Sequence, residues 1–252
     1  MAGHSHWAGI KHKKALIDAK RGKLWSKLAK AIIVAAQTGG GDPDTNLRLR
    51  YAIADAKAVS MPRDNIQRAI KKGTGELAGG VFEEVIYEGY GTGGVAVICE
   101  VLTDNRNRTA PEIRKIFERG GGKLGSTGCV AWMFDRKGLI LIPTSATTED
   151  DLMELALENG ADDVTTEGDT FEITCEVDAF EDLRTAITEA GLEPDSSQIT
   201  RIPSNTVDVE SVSDAKKILT LMELLDDQDD IQSVSANFNI SEEIMAKIEA
   251  DS

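Results

Sequence analysis

A chain of 252 residues with 41% hydrophobic content can bury a core without metal or disulfide support, as one large domain or as two to three small ones. A formal charge of -15 argues on average against an anionic partner, but the average hides the distribution. Residues 1–72 hold 15 of the 28 Lys and Arg and 5 of the 43 Asp and Glu, a segment charge of +10 that leaves -25 for the remainder. This split points to a basic head that grips an anionic polymer, carried by an acidic body; the alternative is a solvated basic face without a partner.

Cys99, Cys129 and Cys175 stand apart in apolar runs and form no CxxC pair, so buried, inert thiols in a reducing compartment are expected. No window approaches the roughly 20 apolar residues that cross a bilayer, and no secretory leader is legible. The expectation is a cytoplasmic protein with no membrane partner.

In chain order, 11–38 reads as an Ala, Lys and Leu-rich helix that Gly22 can divide and Gly39, Gly40 and Gly41 stop. Asp42, Pro43 and Asp44 supply a cap and a first-turn proline for a second helix to about Val59, and Pro62 opens a third that ends at Gly73. The Gly-rich stretch 73–80 is a linker.

Beyond it, 81–87 and 94–102 read as strands, 111–118 as helix and 128–134 as strand. Strand 139–142, helix 150–158, hairpin 163–166 with 171–176, helix 179–190 and strand 198–202 form one β-α-β-β-α-β unit. A strand at 207–209, a helix at 213–225 and a strand at 231–239 complete a second such unit begun at 94–134. The predicted class is α+β: an N-terminal helical bundle followed by two ferredoxin-like domains, one inserted in the other. The expected boundaries are a head at 1–78, a discontinuous domain at 79–135 plus 204–243, an inserted domain at 136–203 and a tail at 244–252.

Lys20, Lys23, Lys27 and Lys30 are spaced by three, four and three, which puts them on one side of a helix, with Arg21 adjoining. Leu24, Leu28 and Ile32 recur on another side that packs inward. A lysine row on a rigid rod matches a row of phosphates, and each contact releases counterions. Arg68, Lys71 and Lys72 cluster on the third helix and extend this surface, although the helix dipole also favours cations there.

The opening segment places His4, His6 and Trp7 before Lys11, His12, Lys13 and Lys14. Its indole either stacks on an unpaired base or packs back on the bundle. A metal site at His4, His6 and His12 is not expected, because no carboxylate or thiolate stands near to complete it. The polar stretch 104–109 offers Arg106 and Arg108 as a second candidate contact, for RNA, DNA or protein; the alternative, a helix-capping loop with Thr109 as cap, explains Thr109 but not the two arginines. Trp132 and Phe134 alternate on one face of the strand at 128–134, for which sheet packing is the preferred reading over base stacking.

Gly89 to Gly94 is followed by no lysine and hydroxyl pair. Gly120-Gly121-Gly122-Lys123 continues with Leu124 where a phosphate loop needs Ser or Thr. No nucleotide or other cofactor site is read, and no base stands beside a nucleophile, so no catalytic residue and no enzyme activity are expected.

At Met1-Ala2-Gly3-His4-Ser5, Trp7 and Lys11-His12-Lys13-Lys14 the chain resembles the YebC family of probable transcriptional regulators, which includes mitochondrial translational activators. The likeness continues at 39–43, at 62–66 and on to Gly73, at 87–91 and at 102–109, and spans essentially the whole chain. Thr92 stands where the family usually has proline and Cys129 where it usually has serine. The resemblance implies three domains, no catalysis and nucleic-acid binding, described for some members at promoter DNA and for others at the ribosome, relieving stalled translation. The partners expected are therefore DNA or ribosomal RNA at the basic head, and ribosomal or other basic proteins at the acidic body.

Overall fold

The computed structural model describes residues 21–250. It begins with three helices: α1 (Arg21–Gly39), α2 (Leu47–Ala58) and α3 (Arg63–Gly73). They bury Ile32, Ile33 and Ala36 of α1 against Leu49 and Ala56 of α2 and Ile66 and Ile70 of α3. The stop after α1 is conformational, since Gly40 sits at φ +84, where a side chain is strained. Gly73 has a packing role: a Cβ there would fall 2.4 Å from the Ile33 carbonyl oxygen, so only glycine lets α3 approach α1.

The cap of α2 is Asn46, not the expected Asp42–Asp44 segment. Its side chain accepts from Leu49 N at 3.1 Å and donates to the carbonyls of Ala35 and Gly40, tying the start of one helix to the end of another.

The body follows as β1 (Glu83–Tyr90), β2 (Ala96–Thr103), α4 (Arg106–Arg119), the two-residue β3 (Lys123–Leu124) and β4 (Phe134–Pro143). Next come α5 (Glu149–Glu158), β5 (Ala161–Glu167), β6 (Thr170–Cys175), α6 (Phe180–Glu189) and β7 (Ser196–Pro203). The chain ends with β8 (Val207–Asp208), α7 (Val212–Asp226), β9 (Ile231–Ala236), β10 (Phe238–Asn239) and α8 (Glu242–Ala250).

One four-stranded sheet has the order β5-β6-β4-β7 with antiparallel neighbours, which is the ferredoxin-like arrangement of a β-α-β-β-α-β unit. The other has the order β3-β1-β2-β9. Val97, Cys99, Ile113 and Phe117 share its core with Ile218, Leu221, Leu225 and Ile231, so segments on either side of the intervening sheet build one interior. The class is α+β, helices first and antiparallel sheets after.

The membership of the second sheet departs from expectation. The 207–209 strand leaves it and pairs with β10 as a parallel two-stranded ribbon, and the edge is taken by β3. The 128–134 strand is absent: Gly128 adopts φ +84, a one-turn helix spans Ala131–Met133, and extended backbone starts only at Phe134, at the head of β4. Residues 244–252 were expected as a tail, but α8 occupies 242–250 and buries Ile244 in the shared core. Cys99 and Cys175 are buried and Cys129 half-buried; all three are unpaired thiols. Burial pushes each thiol up, Cys175 to about 11. No described helix is long and apolar enough to cross a membrane.

Candidate nucleic-acid interface

His4, His6, Trp7, Lys11, His12, Lys13, Lys14 and Lys20 lie outside the described residues, as does the side chain of Arg21. The remaining members of the expected lysine row, Lys23, Lys27 and Lys30, do share one side of α1, and that side faces the chain's own acidic turn between α7 and β9. Lys23 donates to the carbonyl of Asp227 at 3.1 Å, and Lys27 to the carbonyl of Asp226, whose carboxylate stands 3.8 Å away. Lys30 reaches the carbonyl of Asp229 at 2.8 Å and the carboxylate of Asp230 at 2.6 Å.

The acceptors explain the fit. The last carbonyls of a helix have no partner within it and carry the negative end of its dipole, so lysines arriving there cap α7. Four aspartates in five positions, 226–230, add charge to the same spot. In this conformation the lysines that match a phosphate row are engaged by an internal anion.

Arg108 converges on the same place. Its guanidinium lies 2.9 Å from Asp104 and 3.2 Å from the second oxygen of Asp230, which also accepts from the Thr109 hydroxyl at 2.7 Å. Burial alone would raise the Asp230 carboxyl, but hydrogen bonds from Lys30, Thr109 and Arg108 and the Lys30 charge hold it at about 2. Asn105 is the cap of α4, accepting from Arg108 N, so Thr109 is not a cap but part of this buried network with Thr103. Arg106 pairs with Glu83 at 2.7 Å. The two arginines therefore stand at the first turn of α4, each beside carboxylates.

The α3 cations are placed differently. Arg68, Lys71 and Lys72 are exposed, as is Arg63, which sequence reasoning left out, and none forms an ion pair among the described residues. Ile66, Ala69 and Ile70 hold the opposite side of α3 in the bundle, so Arg68, Lys71 and Lys72 share the outward side, while Arg63 is exposed at the start of the helix, off that face. Arg68 and Lys72 border a shallow groove whose floor includes Trp25, Ala29, Ile33 and Met61. Lys71 and Lys72 also sit where the α3 dipole favours positive charge.

The head meets the inserted domain as well. Tyr51 of α2 sets its ring edge-on to Phe180 with centroids 6.2 Å apart, and the Arg184 guanidinium lies 5.7 Å over the Tyr51 ring. Arg48, by contrast, pairs with Glu84 of β1, in the other sheet.

Sequence reasoning missed the 226–230 turn and a buried carboxylate. Glu88 of β1 accepts from the backbone N–H groups of Gly128, Val130 and Ala131 at 2.6, 2.8 and 2.7 Å. Burial raises its carboxyl, and the three donors outweigh that and hold it below the usual range. The clue to the turn was its run of aspartates directly after an amphipathic helix; nothing local marked Glu88. Trp132 and Phe134 do not share a face: Phe134 is buried and Trp132 is 70% exposed. Among the described residues, no cluster of His, Cys, Asp and Glu is grouped to hold a metal.

Comparison with known proteins sets this geometry in a family. Residues 5–76 match the family model described as the TACO1/YebC protein N-terminal domain, and residues 82–238 the one described as the TACO1/YebC second and third domain. A probable transcriptional regulatory protein of Rhodopirellula baltica is 59% identical over 249 residues, covering 98% of this chain and 100% of that protein. One of Natranaerobius thermophilus is 55% identical, over 97% and 99%. The crystal structure of a conserved hypothetical protein from Aquifex aeolicus is similar, with a TM-score of 0.87 at 48% identity, over 96% of this chain and 99% of that one. On matches that span both the head and the body, the chain belongs to the TACO1/YebC family.

Proposed function

We propose that this chain is a nucleic-acid-binding regulator of gene expression that acts without a catalytic step, with DNA-bound control of transcription as the first reading. The observation that carries it is the outward side of α3, where Arg68, Lys71 and Lys72 stand exposed, with Arg63 exposed at the helix start, in a segment (1–72) of net charge +10. Such a face collects phosphates by counterion release, while a body of -25 repels the same polymer and turns toward basic protein partners. The names of the Rhodopirellula and Natranaerobius relatives agree with a role in transcription.

A second reading, a translation factor that binds ribosomal RNA, is favoured by one observation. Trp132 presents a large exposed aromatic surface, which suits unpaired bases better than a closed duplex.

The test is sedimentation of the native protein from a gently prepared, DNase-treated lysate at low salt, with titration of duplex DNA alongside. Co-migration with a ribosomal subunit makes translation the function. Fractions confined to the top of the gradient with salt-sensitive duplex binding make it transcription. Absence of both overturns the nucleic-acid reading and leaves a protein adaptor.

A further inference from the structure

Trp132 is an anomaly of burial. An indole gains more than any other side chain by leaving water, yet this one is 70% exposed while its neighbours Val130 and Phe134 are at 0% and 5%. The buried neighbours fix the one-turn helix between them, so Trp132 cannot turn inward without uprooting both.

The indole N–H donates to the carbonyl of Cys129 at 3.2 Å, and the hydroxyl of Tyr90, itself 38% exposed, donates to the same carbonyl at 3.1 Å. The polar ends of both aromatics are thus satisfied by one oxygen and both rings are held in place. That oxygen is fixed in turn, because Glu88 anchors the backbone N–H groups of Gly128, Val130 and Ala131 on either side of it. The acceptor is backbone, so cysteine in place of serine at 129 leaves the arrangement intact.

A cation stands beside the pair. Lys123 is the direct antiparallel partner of Tyr90, and residues so opposed project from the same face of a sheet with Cβ atoms about 5 Å apart. Lys123 is exposed and forms no ion pair among the described residues. The exposed residues leading into the turn are Gly125, Ser126, Thr127 and Gly128, which offer hydroxyl and backbone groups and no aliphatic rim. A protein hot spot is ringed by contacts that exclude water. Rigid aromatic surface with hydroxyls and one ammonium group instead fits a flat, polar-edged heterocycle followed by a phosphate.

We propose that Tyr90 and Trp132 form a seat for an unpaired nucleobase, with Lys123 holding the adjoining phosphate. The proposal rests on the nucleic-acid reading above and adds to it a second contact, on the body, that selects single strands. It also accounts for how an acidic body tolerates a polyanion, since stacking depends little on net charge.

The test uses the full chain with fluorescently labelled oligouridine and a duplex of mixed sequence as probes. Trp132→Ala is expected to weaken oligouridine binding about tenfold and to leave duplex affinity unchanged. Trp132→Phe, which keeps a π face, is expected to restore most of the loss, and Lys123→Gln to lower the salt slope for oligouridine by about one. Because Trp132 is exposed, the thermal melt of the alanine variant reports whether the fold is kept. Equal oligouridine affinity for wild type and Trp132→Ala overturns the seat while leaving the head's role standing, and so does a parallel loss for both probes. Failure of the wild type to bind either probe overturns both.

Discussion

Lys30 and Asp230, 200 positions apart in the chain, meet at 2.6 Å with 15% and 6% of their side chains exposed. This pair joins the helical head to the second sheet, and Arg108 and Thr109 complete the shell around its carboxylate. Breaking one side of such a contact strands a buried charge, which costs more than the pair itself contributes. Asp230→Asn is therefore expected to lower stability by about 2–4 kcal/mol, read by urea denaturation of the full chain.

The same carboxyl sets a pH dependence. Its folded value of about 2 lies below the ordinary 3.8, so the stability it contributes is present above pH 4 and is lost as pH falls from about 4 through about 2. Denaturation midpoints followed down this window should fall in the wild type and fall less in Asp230→Asn. Parallel curves for the two proteins would remove Asp230 from the account.

Since the 226–230 turn occupies the cations that match a phosphate row, weakening it should release them. Asp226→Asn with Asp230→Asn removes the two carboxylates that face Lys27 and Lys30 and leaves the carbonyl that holds Lys23, so it is expected to tighten binding to a duplex or an RNA and to steepen its salt slope by up to about 0.9 for each of those two lysines freed. Titration across a range of potassium chloride concentrations reads both quantities. An unchanged slope would mean that the lysines serve only to attach the head.

Glu88 anchors the turn that carries Trp132. Glu88→Gln keeps the size, but the amide offers one acceptor where three backbone donors point, so a loss of about 2 kcal/mol is expected in thermal or urea melts. The expected companion effect is a change in Trp132 fluorescence, because the carbonyl that holds its indole is no longer fixed.

Much of the fold could be read because its determinants are local. Gly39, Gly40, Pro62 and Gly73 punctuate the head, and the alternation from Leu139 to Ile202 traces a whole β-α-β-β-α-β unit. What escaped is set by distant partners. Val207 finds Phe238 instead of the main sheet, and Gly128 turns a stretch of β-forming residues into a bend. The lysine row illustrates the limit most directly. Its spacing placed Lys23, Lys27 and Lys30 correctly on one side of a helix, but which anion they face depends on a turn some 200 residues later. Arg68, Lys71 and Lys72 could be placed because an amphipathic helix exposes its charged side regardless of the rest of the fold.

The most direct test of the head as the phosphate-binding element is the slope of log affinity against log salt for a nucleic acid that the wild type binds. It should be compared with the Arg63→Gln, Arg68→Gln, Lys71→Gln, Lys72→Gln variant. All four side chains are exposed, so the fold should be kept. The account predicts weaker binding and a slope shallower by about three to four, since each phosphate that is no longer neutralised removes about 0.9. An unchanged slope with a native melting curve would contradict it and move the binding surface off α3.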